Sequence, residues 1–263
     1  MKRYTGYFLV LTLLVALLAS AAPPAKPVKL ATAPLSAQQK KLQAELLKAF
    51  KHVKTPTDLK RIEAILKRGA PVNAPLKDGT TPLMYAAVTP DDRLTALLLR
   101  YGANAKAHNK DGQTALHMAM LAGSGPATIR RLVKAGADPN ARDKDGDTPL
   151  LLGMVQCENA ATWRALIKAG ADIKVRQRDG TPALALAAML GNVTAVQALV
   201  EAGADVNVRD KASHTVLELA QTLPKMADIM AMREKRKLTP QEKADKIKAE
   251  RITQILKQAG AKQ

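Results

Sequence analysis

Large rings are almost missing from this chain: one Trp, two Phe and four Tyr among 263 residues. A core with so few aromatics must be filled by Ala, Leu, Val, Ile and Met, which suits closely packed helices. The single cysteine, Cys157, excludes an intramolecular disulfide framework. Four scattered histidines, with no Cys/His cluster, exclude a zinc site of the usual ligand spacing. No metal and no cofactor are expected. Walker loop, nucleophile elbow and paired-carboxylate constellation are all missing, so no catalytic residue is expected and the chain reads as a non-enzyme. Acidic residues are the minority, 23 against 41 basic ones, for a formal charge of +18. What remains is an apolar fraction of 47%, enough to exclude global disorder.

The N-terminus reads as an address. Lys2 and Arg3 precede an apolar run, Phe8–Leu18, broken only by Thr12, and the small residues Ala19-Ser20-Ala21 follow. This layout predicts a secretory signal peptide over 1–21. The uncharged stretch Gly6–Ala22 has 17 residues, the lower limit for crossing a bilayer. Two outcomes stay open: a cleaved signal, giving a periplasmic or secreted protein, or a retained inner-membrane anchor facing the periplasm. Residues 22–35 read as a Pro/Ala-rich linker.

The rest is periodic. The segments DGTTPLMYAA, DGQTALHMAM, DGDTPLLLGM, DGTPALALAA and KASHTVLELA align on Leu83, Leu116, Leu150, Leu184 and Leu217, spaced 33, 34, 34 and 33 residues apart. A second signature (KRGAPVN, RYGANAK, KAGADPN, KAGADIK, EAGADVN) keeps step on Gly69, Gly102, Gly136, Gly170 and Gly203. Gly260, in KQAGAK, lies 57 residues further on, one repeat plus an insertion. Thr81, Thr114 and Thr148 suit helix N-caps, with Pro82 and Pro149 at the first helical position. Stripes such as Leu94-Leu97-Leu98 and Trp163-Leu166-Ile167 predict second helices with one buried face.

These paired motifs resemble the ankyrin repeat over roughly residues 57–263. The resemblance implies an all-α solenoid of helix-turn-helix units joined by hairpin-like fingers, in which one hairpin buries its faces only by stacking on the next. The expected organisation is an N-terminal helical cap over 36–75, four repeats over 76–209, and a degenerate fifth repeat with a helical insertion and C-terminal cap over 210–263. Ser36 and Gln39 predict a capping box for a helix to about Val53, and Thr57 a cap for the next. Pro224 opens an expected inserted helix whose Met226–Met232 face is a candidate docking surface. A last helix is expected from Thr239 to about Lys257, with Ile247, Ile255 and Leu256 along its apolar side.

Charge is unevenly spread. Residues 23–68 carry 11 basic and 3 acidic side chains, 69–220 carry 17 and 15, and 221–263 carry 11 and 5. The excess sits at the two ends, which does not suit a continuous phosphate-tracking stripe, and stacking aromatics are lacking. No nucleic-acid partner is expected. Contact of the basic caps with anionic envelope polymers or lipids remains open.

The resemblance implies a contact surface on the fingers and the inner faces of the first helices. Lys77, Lys110, Lys144, Arg178 and Lys211 share one finger position, and His108, Arg142, Arg176 and Arg209 share another. The candidate partner-binding residues are Arg142, Lys144, Lys174, Arg176, Arg178 and Arg209, with Val155, Gln156, Met189 and Leu190 as the inner-helix contacts. His117 is expected to support its finger, and Trp163 and Cys157 to be structural. The expected function is a monomeric scaffold or adaptor in the bacterial periplasm that binds a partner protein. The alternative is a periplasmic inhibitor or immunity protein that blocks an enzyme's active site.

Overall fold

A computed structural model of the chain describes residues 35–50, 56–89, 91–222 and 237–262. The expected signal segment, nearly all of the linker, His52, Val53 and the Met226–Met232 face lie outside the described residues. Ser36–Gln263 forms one compact unit.

Its helices come in pairs. A first pair, α1 (Ala37–Phe50) and α2 (Pro56–Lys67), opens the unit. Four further pairs follow: α3 (Pro82–Ala87) with α4 (Asp92–Arg100), α5 (Ala115–Leu121) with α6 (Pro126–Lys134), α7 (Pro149–Gly153) with α8 (Ala160–Lys168), and α9 (Ala183–Met189) with α10 (Val193–Glu201). A helix α11 occupies 216–222, and α12 (Pro240–Gln258) closes the unit. First helices stack on first helices, α1 to α3 to α5 to α7. Second helices do the same from α2 to α4, α6 and α8, and α10 carries α12. No strand occurs among the described residues; isolated antiparallel bridges close three of the fingers, at His108–Thr114, Arg176–Pro182 and Arg209–Thr215.

The aligned leucines decide this stacking. Leu83, Leu116, Leu150, Leu184 and Leu217 are all at most 2% exposed. Three residues after each leucine a buried small residue, Ala86, Ala119, Gly153, Ala187 or Ala220, keeps neighbouring axes close. The first helices of the four repeats, α3, α5, α7 and α9, have only 5 to 7 residues, and a helix under about 12 residues is marginal in water, so packing and capping hold them. Thr81 and Thr148 accept the backbone N–H of Met84 and Leu151. The fifth unit, read as degenerate, has a full reciprocal box: Glu218 accepts the Thr215 N–H at 2.7 Å and Thr215 Oγ1 accepts the Glu218 N–H at 3.2 Å. In the fourth unit Thr-Pro is displaced by one residue, so Pro182 stands at the N-cap with no hydroxyl to offer.

Second helices end on glycine. At Gly136 the backbone turns to φ 91°, and the Ala137 N–H returns to the Leu132 carbonyl at 3.0 Å. The Ser36–Gln39 box opens α1, with Ser36 N–H on Gln39 Oε1 at 3.0 Å. The second helix begins at Pro56, so Thr57 lies inside it rather than capping it. In α12 the buried residues are Ala249, Ile252 and Leu256, whereas Ile247 is 66% exposed. The expected stripe fails there because α12, at 19 residues, is longer than the 9-residue α10 it packs on. Its N-terminal turns run past the end of that partner, and Lys248 reaches across to Glu158 at 3.3 Å.

Candidate protein-interaction surface

Each finger is a turn braced by an aspartate or asparagine side chain that accepts backbone N–H groups of the same turn. Asp143 Oδ1 accepts the N–H groups of Asp145 and Asp147 at 2.9 Å each, and Asn109 does the same for Asp111 and Gln113. The fingers are then joined to one another in two different ways. From the first to the third, backbone meets backbone: Lys110 N–H donates to Asp78 O at 3.0 Å and Lys144 N–H to Asp111 O at 2.8 Å. Gly112 is required there, because a Cβ would lie 3.0 Å from the Lys144 nitrogen. Beyond the third finger, side chains close the junction. Arg178 donates to Lys144 O and lies 3.7 Å from Asp145, and Arg176 reaches Arg209 O at 3.4 Å.

Asparagine clamps join the finger bases in alternate units. Asn73 donates to Gly102 O and accepts the Asn104 N–H; Asn140 does the same with Gly170 O and the Asp172 N–H. Asn207 accepts the Lys262 N–H at 2.9 Å and so ties the last finger to the C-terminus. The sequence carried this signal as an alternation of Asn and Lys at one position, with Lys106 and Lys174 in the units between.

The candidate basic residues are all exposed, and the structure gives several of them work inside the protein. Arg142 Nη1 donates to Gly146 O at 2.7 Å, Arg176 Nη1 to Gly180 O at 2.8 Å, and Arg209 Nη1 to Ser213 O. The same four-residue reach recurs three times. Arg178 serves the junction with the third finger, while among the described residues Lys144 and Lys174 are exposed and engage only their backbone groups.

The apolar candidates lie elsewhere. Fingers precede the first helices and Val155, Met189 and Leu190 follow them, so a first helix of about 10 Å separates the two groups. Val155 (45%), Met189 (39%) and Leu190 (48%) are exposed, whereas Gln156 is half-buried. Val155 and Met189 hold equivalent positions in consecutive units. The equivalent Leu121 is 8% exposed and belongs to the core.

The residues with chemical potential are committed to packing. His117 is fully buried; Nδ1 accepts the Thr114 N–H at 3.1 Å, which leaves Nε2–H to donate to Asp147 O at 3.1 Å. Burial holds its pKa below the usual value. Cys157 is buried, its thiol pKa raised by desolvation, and its carbonyl accepts both Trp163 Nε1 at 2.9 Å and Asn192 Nδ2 at 3.0 Å. Among the described residues no group of three His, Cys, Asp or Glu side chains is placed to hold a metal. None of the helices described is long and apolar enough to cross a membrane.

One carboxylate pair escaped sequence reasoning. Asp143 and Asp147 occupy positions where the second finger pairs Asn109 with Gln113 at 3.4 Å and the fifth pairs Asp210 with His214 at 3.1 Å. Partial burial, then the nearby charges of Asp143 and Asp145, push the Asp147 pKa up to about 6.

Comparison with known proteins gives a family and distant relatives. The family description "Ankyrin repeats (3 copies)" matches residues 50–143 and 120–210. The protein named "Ankyrin repeat, SAM and basic leucine zipper domain-containing protein 1" from Echinops telfairi is 36% identical over 103 residues, covering 39% of this chain and 20% of that protein. The protein of the same name from Colobus guereza is 38% identical over 85 residues, 32% of this chain and 18% of that one. The chain thus spans about a fifth of the length of these relatives.

Proposed function

This chain belongs to the ankyrin-repeat family, whose members are protein–protein interaction modules, and we propose that it is a non-catalytic scaffold or adaptor working in the bacterial periplasm. The partner protein is held across the third to fifth fingers and the apolar ends of α7 and α9. The observation that carries this reading is the placement of Val155, Met189 and Leu190. Three of the four exposed large hydrophobics of the described residues sit together in consecutive repeats. Apolar residues one short helix away from fixed polar donors supply the mixture a protein interface uses. The periplasmic address rests on the Lys2–Ala21 signal pattern.

The test is photo-crosslinking in living cells from position 189, with a fractionation of the same cells. A specific protein adduct in the periplasmic fraction supports the proposal, and no adduct, or one only in the cytoplasm, defeats it. If the captured partner is an enzyme that loses activity when bound, the module acts as an inhibitor rather than a scaffold.

A further inference from the structure

Arg142, Arg176 and Arg209 form three equivalent rungs. Each guanidinium is braced by its own finger through a carbonyl four residues on, at Gly146, Gly180 and Ser213. Arg176 is braced a second time by Arg209 O at 3.4 Å. The series begins at the third finger, since the equivalent residues earlier in the chain are His108 and Pro75. Bracing uses one or two of the five N–H donors of a guanidinium and leaves the others for a ligand. It also removes rotamer freedom before any ligand arrives, so less entropy is lost on pairing.

The carboxylates nearby do not satisfy these cations. Aspartates are plentiful in the three fingers, but they fold onto their own turns. Asp143 takes the Asp145 and Asp147 N–H groups, Asp172 that of Lys174, Asp179 that of Thr181, and Asp210 that of His214. Asp145 lies beside Arg178. Among the described residues, Arg142, Arg176 and Arg209 have no carboxylate within ion-pair distance, although acids occur in the same loops. Arg142 bears on Asp147 and Arg209 on Glu218 only through longer-range attraction, so these guanidinium groups are positioned without a direct ion pair.

We infer that the ladder Arg142–Arg176–Arg209 receives an extended acidic segment of the partner protein, with a carboxylate at about every third residue. This rests on the reading of the chain as a protein-binding module. The spacing follows from two lengths. Neighbouring repeats are separated by about 10 Å, the distance between packed helices. A segment extended as polyproline II advances about 3.1 Å per residue with three residues per turn, so every third side chain returns to the same face. Three residues of partner therefore span one rung, and arginine–carboxylate pairing at each rung sets the register.

The experiment measures fluorescence anisotropy of the full chain with nine-residue probes. One probe has Glu at positions 1, 4 and 7 among Gly and Ser; its isomer has the three Glu contiguous. At low salt the spaced probe is expected to bind at least tenfold tighter, with Arg142→Gln and Arg209→Gln each weakening it severalfold. His108→Arg adds a fourth rung and is expected to tighten a twelve-residue probe with Glu at 1, 4, 7 and 10, a gain that misfolding cannot imitate. Equal binding of the two isomers overturns the inference, as does tighter binding of an oligothymidylate of matched charge. Crosslinking from Lys211 separates this idea from the one beneath it. A protein adduct through a segment with no acidic triplet defeats the ladder and leaves the binding module standing; no protein adduct from position 189 defeats the module itself.

Discussion

The Trp163 ring occupies the space that a side chain at Gly153 would need: a Cβ there would lie 2.9 Å from Trp163 Cη2 and 2.6 Å from Met120 Cε. The other repeats place Ala86, Ala119, Ala187 and Ala220 at the position of Gly153, and Thr95, Ile129 and Val196 at that of Trp163. The third repeat gives up one methyl on its first helix to admit a large ring on its second. Gly153→Ala is expected to destabilise by about 1–2 kcal/mol, because the overpacking cost exceeds the helix-propensity gain of about 1 kcal/mol. In a Trp163→Ile background the same change should stabilise. A denaturation double-mutant cycle checks both signs, and additivity would break the pairing.

Thr95 holds the Trp163 position in the first repeat and is fully buried. Among the described residues its hydroxyl has no hydrogen-bond partner. The equivalent positions are apolar, so Thr95→Val removes a desolvated hydroxyl at nearly constant volume. We expect a gain of about 1 kcal/mol, the cost of an unsatisfied buried polar group. A midpoint that falls on urea titration would show that the hydroxyl is satisfied in solution.

Asp147 links stability to pH. Its folded pKa of about 6 lies above the ordinary 3.8, so ionisation is disfavoured in the folded state. The penalty is complete above about pH 6, declines as pH falls through that value, and is gone below about pH 4. His117 acts in the opposite direction, since its lowered pKa removes stability as pH drops below 6.5. Asp143, Asp145, Arg142, Arg178 and Asp138 are the other charges facing these two groups. Asp147→Asn isolates the carboxylate: it should stabilise by about 1–2 kcal/mol at pH 7.5, after allowance for solvent screening, and by almost nothing at pH 4. Thermal melts of both proteins across that range decide the matter, and a constant difference would assign the effect elsewhere.

Arg176 and Arg178 fasten the fourth finger to its neighbours. The sequence offers them as candidate partner-binding residues; their bonds to backbone carbonyls give them a structural part as well. Arg176→Glu with Arg178→Glu should lower the melting temperature by a few degrees, because about 1–2 kcal/mol of charge-assisted bonding is lost. Lys174→Glu, which breaks no such bond, should leave the melt in place. Equal effects of the two would remove the arginines from the finger junctions.

The repeat, its phase and its buried leucines were legible in the sequence because a 33–34-residue period reports a unit that cannot bury its faces alone. The caps at Thr81 and Thr148, the role of His117 and the packed state of Trp163 were legible for the same reason, since each follows from its place in the period. Tertiary structure alone decided how the fingers are joined, which acids fold onto their own turns, and that Ile247 stays outside while Leu121 goes in. Those outcomes depend on distances between units of nearly equal sequence, and a linear pattern encodes which residues recur without encoding how far apart their side chains finally stand.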